Sequence, residues 1–204
     1  MNMIGPGACR REGARPCPFR YSVVVSKPDL ILIGLRGSGK SVVGRAAGAR
    51  LGRSFIDLDD VTPALMGYPS VAAAWTAAGE PAFRLAEVSA LRQVIRDETP
   101  SGRVIALGGG TPTAPGAAAI LNDARGSGAA AVMYLRAGAQ ALRSRLEISD
   151  NRGRPPLTTA GDPLSEIEQV LQRRDPLYLT LADTVINTDE LTLDQVIDAV
   201  VATQ

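Results

Sequence analysis

The first regular signal along the chain is an unbroken apolar run, Leu30-Ile31-Leu32-Ile33, the mark of a strand buried on both faces. Glycines follow, and Val42 to Leu51 then reads as a helix that Gly52 ends. Ser54-Phe55-Ile56 starts a second strand finishing at Asp57. From Asp60 to Ala78 the helical pattern is weak and broken at Pro63, Gly67 and Pro69, while Pro81 suits the first turn of a long helix reaching about Arg96. Val104-Ile105-Ala106-Leu107 predicts a third strand ending in Gly108-Gly109-Gly110, and Pro115 opens a helix to about Asn122. Ala131 to Leu135 predicts a fourth strand and Ala139 to Leu146 a helix. Beyond the Gly- and Pro-rich stretch Ser149 to Pro163, a helix is expected from Leu164 to about Arg174. A short strand at Thr184-Val185-Ile186 and a last helix from Leu193 to Val201 close the chain. Strands alternating with helices imply βαβ crossovers, hence an α/β fold on a parallel sheet. No internal repeat is visible.

Residues 1–27 break this order, mixing Gly, Pro, Arg and Cys without periodicity, and read as a flexible leader. An Arg-rich, acid-poor leader fits an organelle transit peptide, a bacterial extension or a misplaced start codon. Residues 28–204 then form one domain, a size at which a single substantial core can be buried.

Composition narrows the chemistry. Histidine is absent, which removes histidine triads, histidine bases and nearly every histidine-containing metal site. Cys9 and Cys17 both lie in the leader, so the core holds neither a disulfide nor a zinc cage, and a reducing cytoplasm is the simplest setting. The net charge of +1 is asymmetric: Arg10, Arg11, Arg15, Arg20 and Lys27 outweigh Glu12 in the leader, and the remainder is mildly acidic. A nucleic-acid partner would need a basic stripe on the domain itself, so none is expected. Apolar stretches are strand-sized, so no membrane span is expected and the chain is read as soluble. Lysine occurs only at Lys27 and Lys40.

Lys40 lies in Gly34-Leu35-Arg36-Gly37-Ser38-Gly39-Lys40-Ser41, which satisfies G-x-x-x-x-G-K-S/T with a buried strand before it and a helix after it. Glycines let consecutive backbone N–H groups wrap phosphates, and the helix N-terminus adds its dipole. In such a loop Lys40 reaches the β- and γ-phosphates and the Ser41 hydroxyl ligates Mg²⁺. Motors, GTPases and kinases share the loop. The short domain and the lack of an N-K-x-D guanine-reading segment favour ATP and a small-molecule kinase.

The acceptor side is less specific residue by residue. Phe55-Ile56-Asp57-Leu58-Asp59 offers two carboxylates at alternate positions where ligands bind in open α/β sheets. One could serve Mg²⁺ and the other the attacking hydroxyl, and an acidic helix N-cap explains the pair equally well. Glu80 and Glu87 flank Arg84 at helical spacing and can orient its guanidinium, as either a site feature or a surface ion-pair trio. Gly108-Gly109-Gly110 admits a ligand against backbone, or simply forms a tight turn.

Taken in order, Phe55-x-Asp57-x-Asp59, Gly79-Glu80 with Phe83-Arg84-x-x-Glu87, Gly108-Gly109-Gly110, Arg154-Pro155 and Arg174-x-Pro176-Leu177-Tyr178 resemble shikimate kinase in identity, order and spacing. The resemblance covers about residues 29–201. It implies a P-loop kinase fold of the nucleoside-monophosphate-kinase type, with a five-stranded parallel sheet in order 2-3-1-4-5, helices on both faces and a mobile lid. The substrate-binding segment would be about 59–88 and the lid about 148–162. It implies a monomer that transfers the γ-phosphoryl group of ATP to the 3-hydroxyl of shikimate, with Mg²⁺, in chorismate biosynthesis.

Carried over to this chain, the resemblance gives Lys40, Asp59 and Arg154 catalytic roles and places Gly37, Ser38, Gly39, Lys40, Ser41, Val42, Arg145 and Arg154 on the nucleotide. Asp59, Arg84, Gly108, Gly109, Gly110 and Arg174 would take shikimate, with Arg84 and Arg174 clamping its carboxylate. Ser41 and Asp57 would serve the metal. A bidentate arginine fork is the best partner for a planar carboxylate. Two departures stand out: Thr62 replaces an acidic residue of many relatives, and Pro156 stands in the lid where leucine is usual. The rival readings are a kinase of the same fold acting on another polyhydroxy acid such as gluconate, and a non-catalytic nucleotide-binding regulator.

Overall fold

The computed structural model describes residues 27–97, 102–148 and 163–204. Five strands, β1 (Asp29–Ile33), β2 (Phe55–Asp57), β3 (Val104–Ala106), β4 (Ala130–Arg136) and β5 (Thr184–Asn187), form one sheet in the order β2-β3-β1-β4-β5. Every pairing is parallel, with Leu30 opposite both Val104 and Ala131. The sheet order is the one the resemblance implies.

The apolar run of β1 follows from its central place. Leu30 and Leu32 face a core shared with Val43 and Ala47 of α1 (Lys40–Leu51) and with Val196, Ile197 and Val200 of α7 (Leu193–Ala202). Ile31 and Ile33 face the opposite core, since side chains alternate across a strand. That second core is closed by α3 (Val71–Arg96), α4 (Ala117–Gly126), α5 (Ala139–Ile148) and α6 (Pro163–Leu181), with Leu58 of α2 (Leu58–Leu65). Both faces of the sheet are therefore covered.

At the edge of the domain far from the strand C-termini, Arg103 and Asp29 form a buried pair. Arg103 Nη2 donates to Asp29 Oδ2 at 2.6 Å and the Arg103 backbone N–H to Asp29 Oδ1 at 2.6 Å. This ties the start of β1 to the start of β3.

Three expected boundaries shift. Pro63 does not break α2; the helix starts at Leu58 and closes past the proline through the Met66 N–H, which donates to the Thr62 and Pro63 carbonyls. The helix expected from Pro115 begins at Ala117, because residues 111–113 form a 3₁₀ turn and Gly116 adopts a left-handed conformation at the cap. The helix expected to stop near Arg174 runs through Pro176 to Leu181. Tertiary anchors hold it: Tyr178 is fully buried and packs edge-on against Tyr134 at 5.4 Å, and Asp175 accepts two bonds from Arg136.

The break expected between residues 78 and 81 is present. Gly79 has φ 77° and ψ 166°, a conformation open only to glycine, and the second half of α3 restarts with Pro81 in its first turn, where the missing N–H costs nothing. That redirection brings Arg84 and Glu87 to the sheet.

Candidate active site

The loops leaving the C-terminal ends of the strands enclose a cleft of about 860 Å³. At its floor is the glycine-rich loop between β1 and α1. Gly39 caps α1 at φ 92° with no side-chain hydrogen bond, and the first turn holds no acidic residue. The helix N-terminus therefore keeps its N–H dipoles for an external anion. Lys40, only 7% exposed, donates through Nζ to the carbonyls of Gly34 at 2.8 Å and Leu35 at 2.9 Å. These bonds hold the ammonium across the loop. Gly37, Ser38, Gly39, Ser41 and Val42 line the same cleft.

One wing of the cleft is shaped by α5 and α7. Arg145 donates to the Thr188 hydroxyl at 2.9 Å and the Thr188 carbonyl at 2.5 Å. Thr188 lies just past β5 and is tied back to the Arg136 carbonyl by its own N–H at 2.8 Å. With Leu191, Leu193 and Val196 nearby on the lining, this wing offers one fixed guanidinium beside an apolar surface, a setting suited to a flat heteroaromatic ring.

The other wing is cationic and deeply built. Arg84 Nη1 donates to Glu87 Oε2 at 2.7 Å, while its Nε and Nη2 donate to Glu80 Oε1 at 3.3 and 3.2 Å. The surface-trio reading fails here: the Arg84 side chain is 19% exposed and that of Glu87 3%. Beneath the guanidinium lies the Trp75 ring at 5.1 Å, itself packed on Phe83 at 5.4 Å. Burial pulls the Arg84 pKa down, but the charges and bonds of Glu87 and Glu80 outweigh it and leave the pKa raised. Burial pushes the Glu87 carboxyl above the ordinary glutamate value, against the opposing pull of Arg84 and Thr111.

The glycine triplet joins these parts. A Cβ at Gly110 would collide with the Arg84 guanidinium, and one at Gly109 would stand 2.8 Å from the Arg36 backbone nitrogen. The triplet is thus a contact surface for Arg84 and the phosphate loop as well as a turn. The Gly109 carbonyl accepts from Arg174 Nη1 at 2.8 Å and from the Tyr178 hydroxyl at 2.6 Å. Burial pushes the Tyr178 phenol up to about 12, so it stays a neutral donor.

Asp57 and Asp59 separate. The strand stops at Asp57, whose Oδ1 accepts the Asp59 N–H at 3.0 Å as the N-cap of α2, so strand alternation does not relate the two carboxylates. Asp59 lines the cleft, with Oδ1 beside Gly108 and across from Glu87 Oε1. Lys40, Ser41, Asp59, Arg84, Gly109, Gly110, Arg145 and Arg174 share the cleft, whereas Gly108, beside Asp59 Oδ1, and Asp57, the N-cap of α2, are not on its lining. Arg154 and the expected lid, with the leader up to residue 26, lie outside the described residues.

A family model for shikimate kinase matches residues 36–204. The chain is 36% identical over 171 residues to the shikimate kinase of Bordetella avium, covering 84% of this chain and 76% of that protein. It is 35% identical over 165 residues to that of Thiobacillus denitrificans, covering 80% and 84%. The chain belongs to the shikimate kinase family. Among solved structures, a shikimate kinase from Acinetobacter baumannii in complex with shikimate superposes with a TM-score of 0.75 at 26% identity, covering 86% of this chain and 92% of that one. One from Bacteroides thetaiotaomicron gives 0.72 at 26% identity, covering 86% and 97%. As a shikimate kinase family member the chain is an ATP-dependent phosphotransferase, and ATP with Mg²⁺ is the family's nucleotide and metal pair.

Sequence reasoning missed Trp75, Thr111 and Thr188, and gave Tyr178 no role. Trp75 did carry a signal, as the chain's sole tryptophan in an Ala-rich stretch. Thr111 and Thr188 carried none, because their partners Glu87 and Arg145 are 24 and 43 residues away.

Proposed function

We propose that this cleft transfers the γ-phosphoryl group of ATP to the 3-hydroxyl of shikimate, with Arg84 and Arg174 receiving the acceptor's carboxylate. The observation that carries the reading is the position of Arg84: a half-buried guanidinium, oriented by Glu87 and Glu80 and backed by Trp75, beside a second arginine across Gly109 and Gly110. A planar anion on a small acceptor matches that arrangement.

The site suits the nucleotide and metal on its own chemistry. The uncapped start of α1, with glycines on either side of Ser38, suits a polyphosphate. Mg²⁺ takes oxygen donors and is commonly held by one or two carboxylates together with substrate phosphates. Ser41, on the cleft lining, would supply one protein oxygen, and Asp57, off the lining, would act through water with the carboxylate oxygen that the Asp59 N–H leaves over. When bound, the ion would draw charge from the phosphate oxygens.

The remaining work belongs to side chains. Arg84 and Arg174 fix the acceptor, and Asp59 accepts a hydrogen bond from the attacking hydroxyl and takes up or steers its proton. The new bond joins the hydroxyl oxygen to the γ-phosphorus as the bond to the β,γ-bridging oxygen breaks, leaving ADP. Lys40 stabilises charge on the transferring group, a role that depends on pre-set position.

The test is ADP release from the purified full-length protein with shikimate, quinate and gluconate. Fastest turnover on shikimate is expected; faster turnover on gluconate sinks the assignment, and ATP binding without turnover on any acceptor supports a regulator.

A further inference from the structure

Three oxygens from different elements converge on Gly108. A Cβ built there would stand 2.7 Å from Asp59 Oδ1, 2.8 Å from Glu87 Oε1 and 2.8 Å from Thr111 Oγ1. Thr111 is fully buried, and its hydroxyl donates to Glu87 Oε1 at 2.6 Å. The other carboxylate oxygen of Glu87 takes Arg84 at 2.7 Å. Both oxygens of a buried carboxylate are thus held by donors, one neutral and one cationic, and a hydroxyl has a single proton to give.

Thr111 also belongs to the turn that lines the acceptor wing. Its N–H donates to the Gly108 carbonyl at 3.1 Å, directly after the glycine triplet. One residue therefore connects the substrate-facing turn to the carboxylate that orients the clamp.

We propose that Thr111 is a positioning residue for acceptor binding: its hydroxyl keeps Glu87 an acceptor-only anion, and that anion holds Arg84 ready for the substrate's carboxylate. The proposal rests on the shikimate reading of the same site.

The surroundings of Glu87 make the effect visible in pH. It faces Arg84, with Glu80 beyond it, on α3, Asp59 in the first turn of α2, and Tyr178 beside Arg174 on α6. Burial is the strongest influence and favours the protonated acid, and the charge of Asp59 acts in the same direction. Arg84 and the Thr111 hydroxyl oppose them. Removing the hydroxyl takes away one opponent, so Glu87 gains its proton at a higher pH. A protonated Glu87 offers Arg84 no charge.

Thr111→Val keeps the shape of the side chain without the hydroxyl, and Thr111→Ser restores the donor. The measurement is KM for shikimate and for ATP as pH is lowered from neutrality to the acid limit of the fold's stability. Thr111→Val is expected to raise the shikimate KM about tenfold near neutrality, with the rise on acidification beginning at a higher pH than in the wild type. The ATP KM should move less than about twofold, and Thr111→Ser should return the wild-type profile. A Thr111→Val enzyme with the wild-type shikimate KM profile overturns the proposal, as does a parallel rise in both KM values. If the valine variant does not fold, Thr111→Ala gives the same comparison. A wild-type enzyme that does not use shikimate overturns the functional reading itself; wild-type turnover with an unaltered Thr111→Val profile overturns only the role of Thr111.

Discussion

Arg84 Nη1 meets Glu87 Oε2 at 2.7 Å, three residues apart on one helix that restarts after the break at Gly79. Glu87 is buried and Arg84 half-buried, so the two charges depend on each other. Removing one partner of such a pair costs far more than an exposed ion pair is worth.

Arg84→Lys keeps a positive charge and loses the planar fork. It should raise the shikimate KM about 100-fold while leaving the ATP KM within about threefold. Trp75, the chain's sole tryptophan, lies 5.1 Å under this guanidinium, so its fluorescence can follow shikimate binding directly. Equal effects on both substrates would count against the carboxylate clamp.

Asp59 stands at the meeting point of the acceptor wing and the phosphate loop. Asp59→Asn should lower kcat by about 100-fold or more with nucleotide affinity nearly unchanged, because no nucleotide contact is assigned to it. Single-turnover phosphoryl transfer and nucleotide titration separate the two quantities. An unaltered kcat would remove Asp59 as base or positioner.

The Asp29–Arg103 pair concerns stability alone, since it lies at the opposite end of the strands. Asp29→Ala leaves a guanidinium whose side chain is 4% exposed without its main partner, and should destabilise the domain by about 3 kcal/mol. Urea unfolding would show it. An unchanged midpoint would mean that Asp97, at 3.0 Å from Arg103, suffices as a partner.

Asp175 makes the stability of the fold depend on pH. Its hydrogen bonds with Arg136 lower its pKa below the ordinary aspartate value, with the Tyr134 hydroxyl assisting and burial opposing. A carboxylate with a depressed folded-state pKa stabilises the fold above the unfolded value, about 3.9, and loses that contribution as pH falls through the folded value. Asp175→Asn should therefore melt below the wild type at neutral pH, and the gap in Tm should close below about pH 4. A gap of constant size down to acid pH would show that charge is not the cause.

Local features were legible where local physics decides. The buried strand β1, the phosphate loop and the break at Gly79-Glu80-Pro81 follow from apolar continuity and backbone restriction, and all three stand where the sequence places them. The missed boundaries share another cause. Pro176 should have ended α6, but the buried Tyr178 and the Asp175–Arg136 pair hold the helix on the sheet. The site behaves in the same way. The resemblance singled out Arg84 and Arg174, and both line the cleft, whereas Thr111 on Glu87 and Thr188 on Arg145 are contacts that only folding creates.

On the proposed reading, this kinase recognises its acceptor through a carboxylate held by Arg84 and Arg174. Comparing kcat/KM for shikimate with that for its carboxamide, which keeps every hydroxyl and removes the charge, tests it most directly. Loss of two charge-assisted contacts should reduce kcat/KM by about 1000-fold. Comparable kcat/KM for the two acceptors would contradict it.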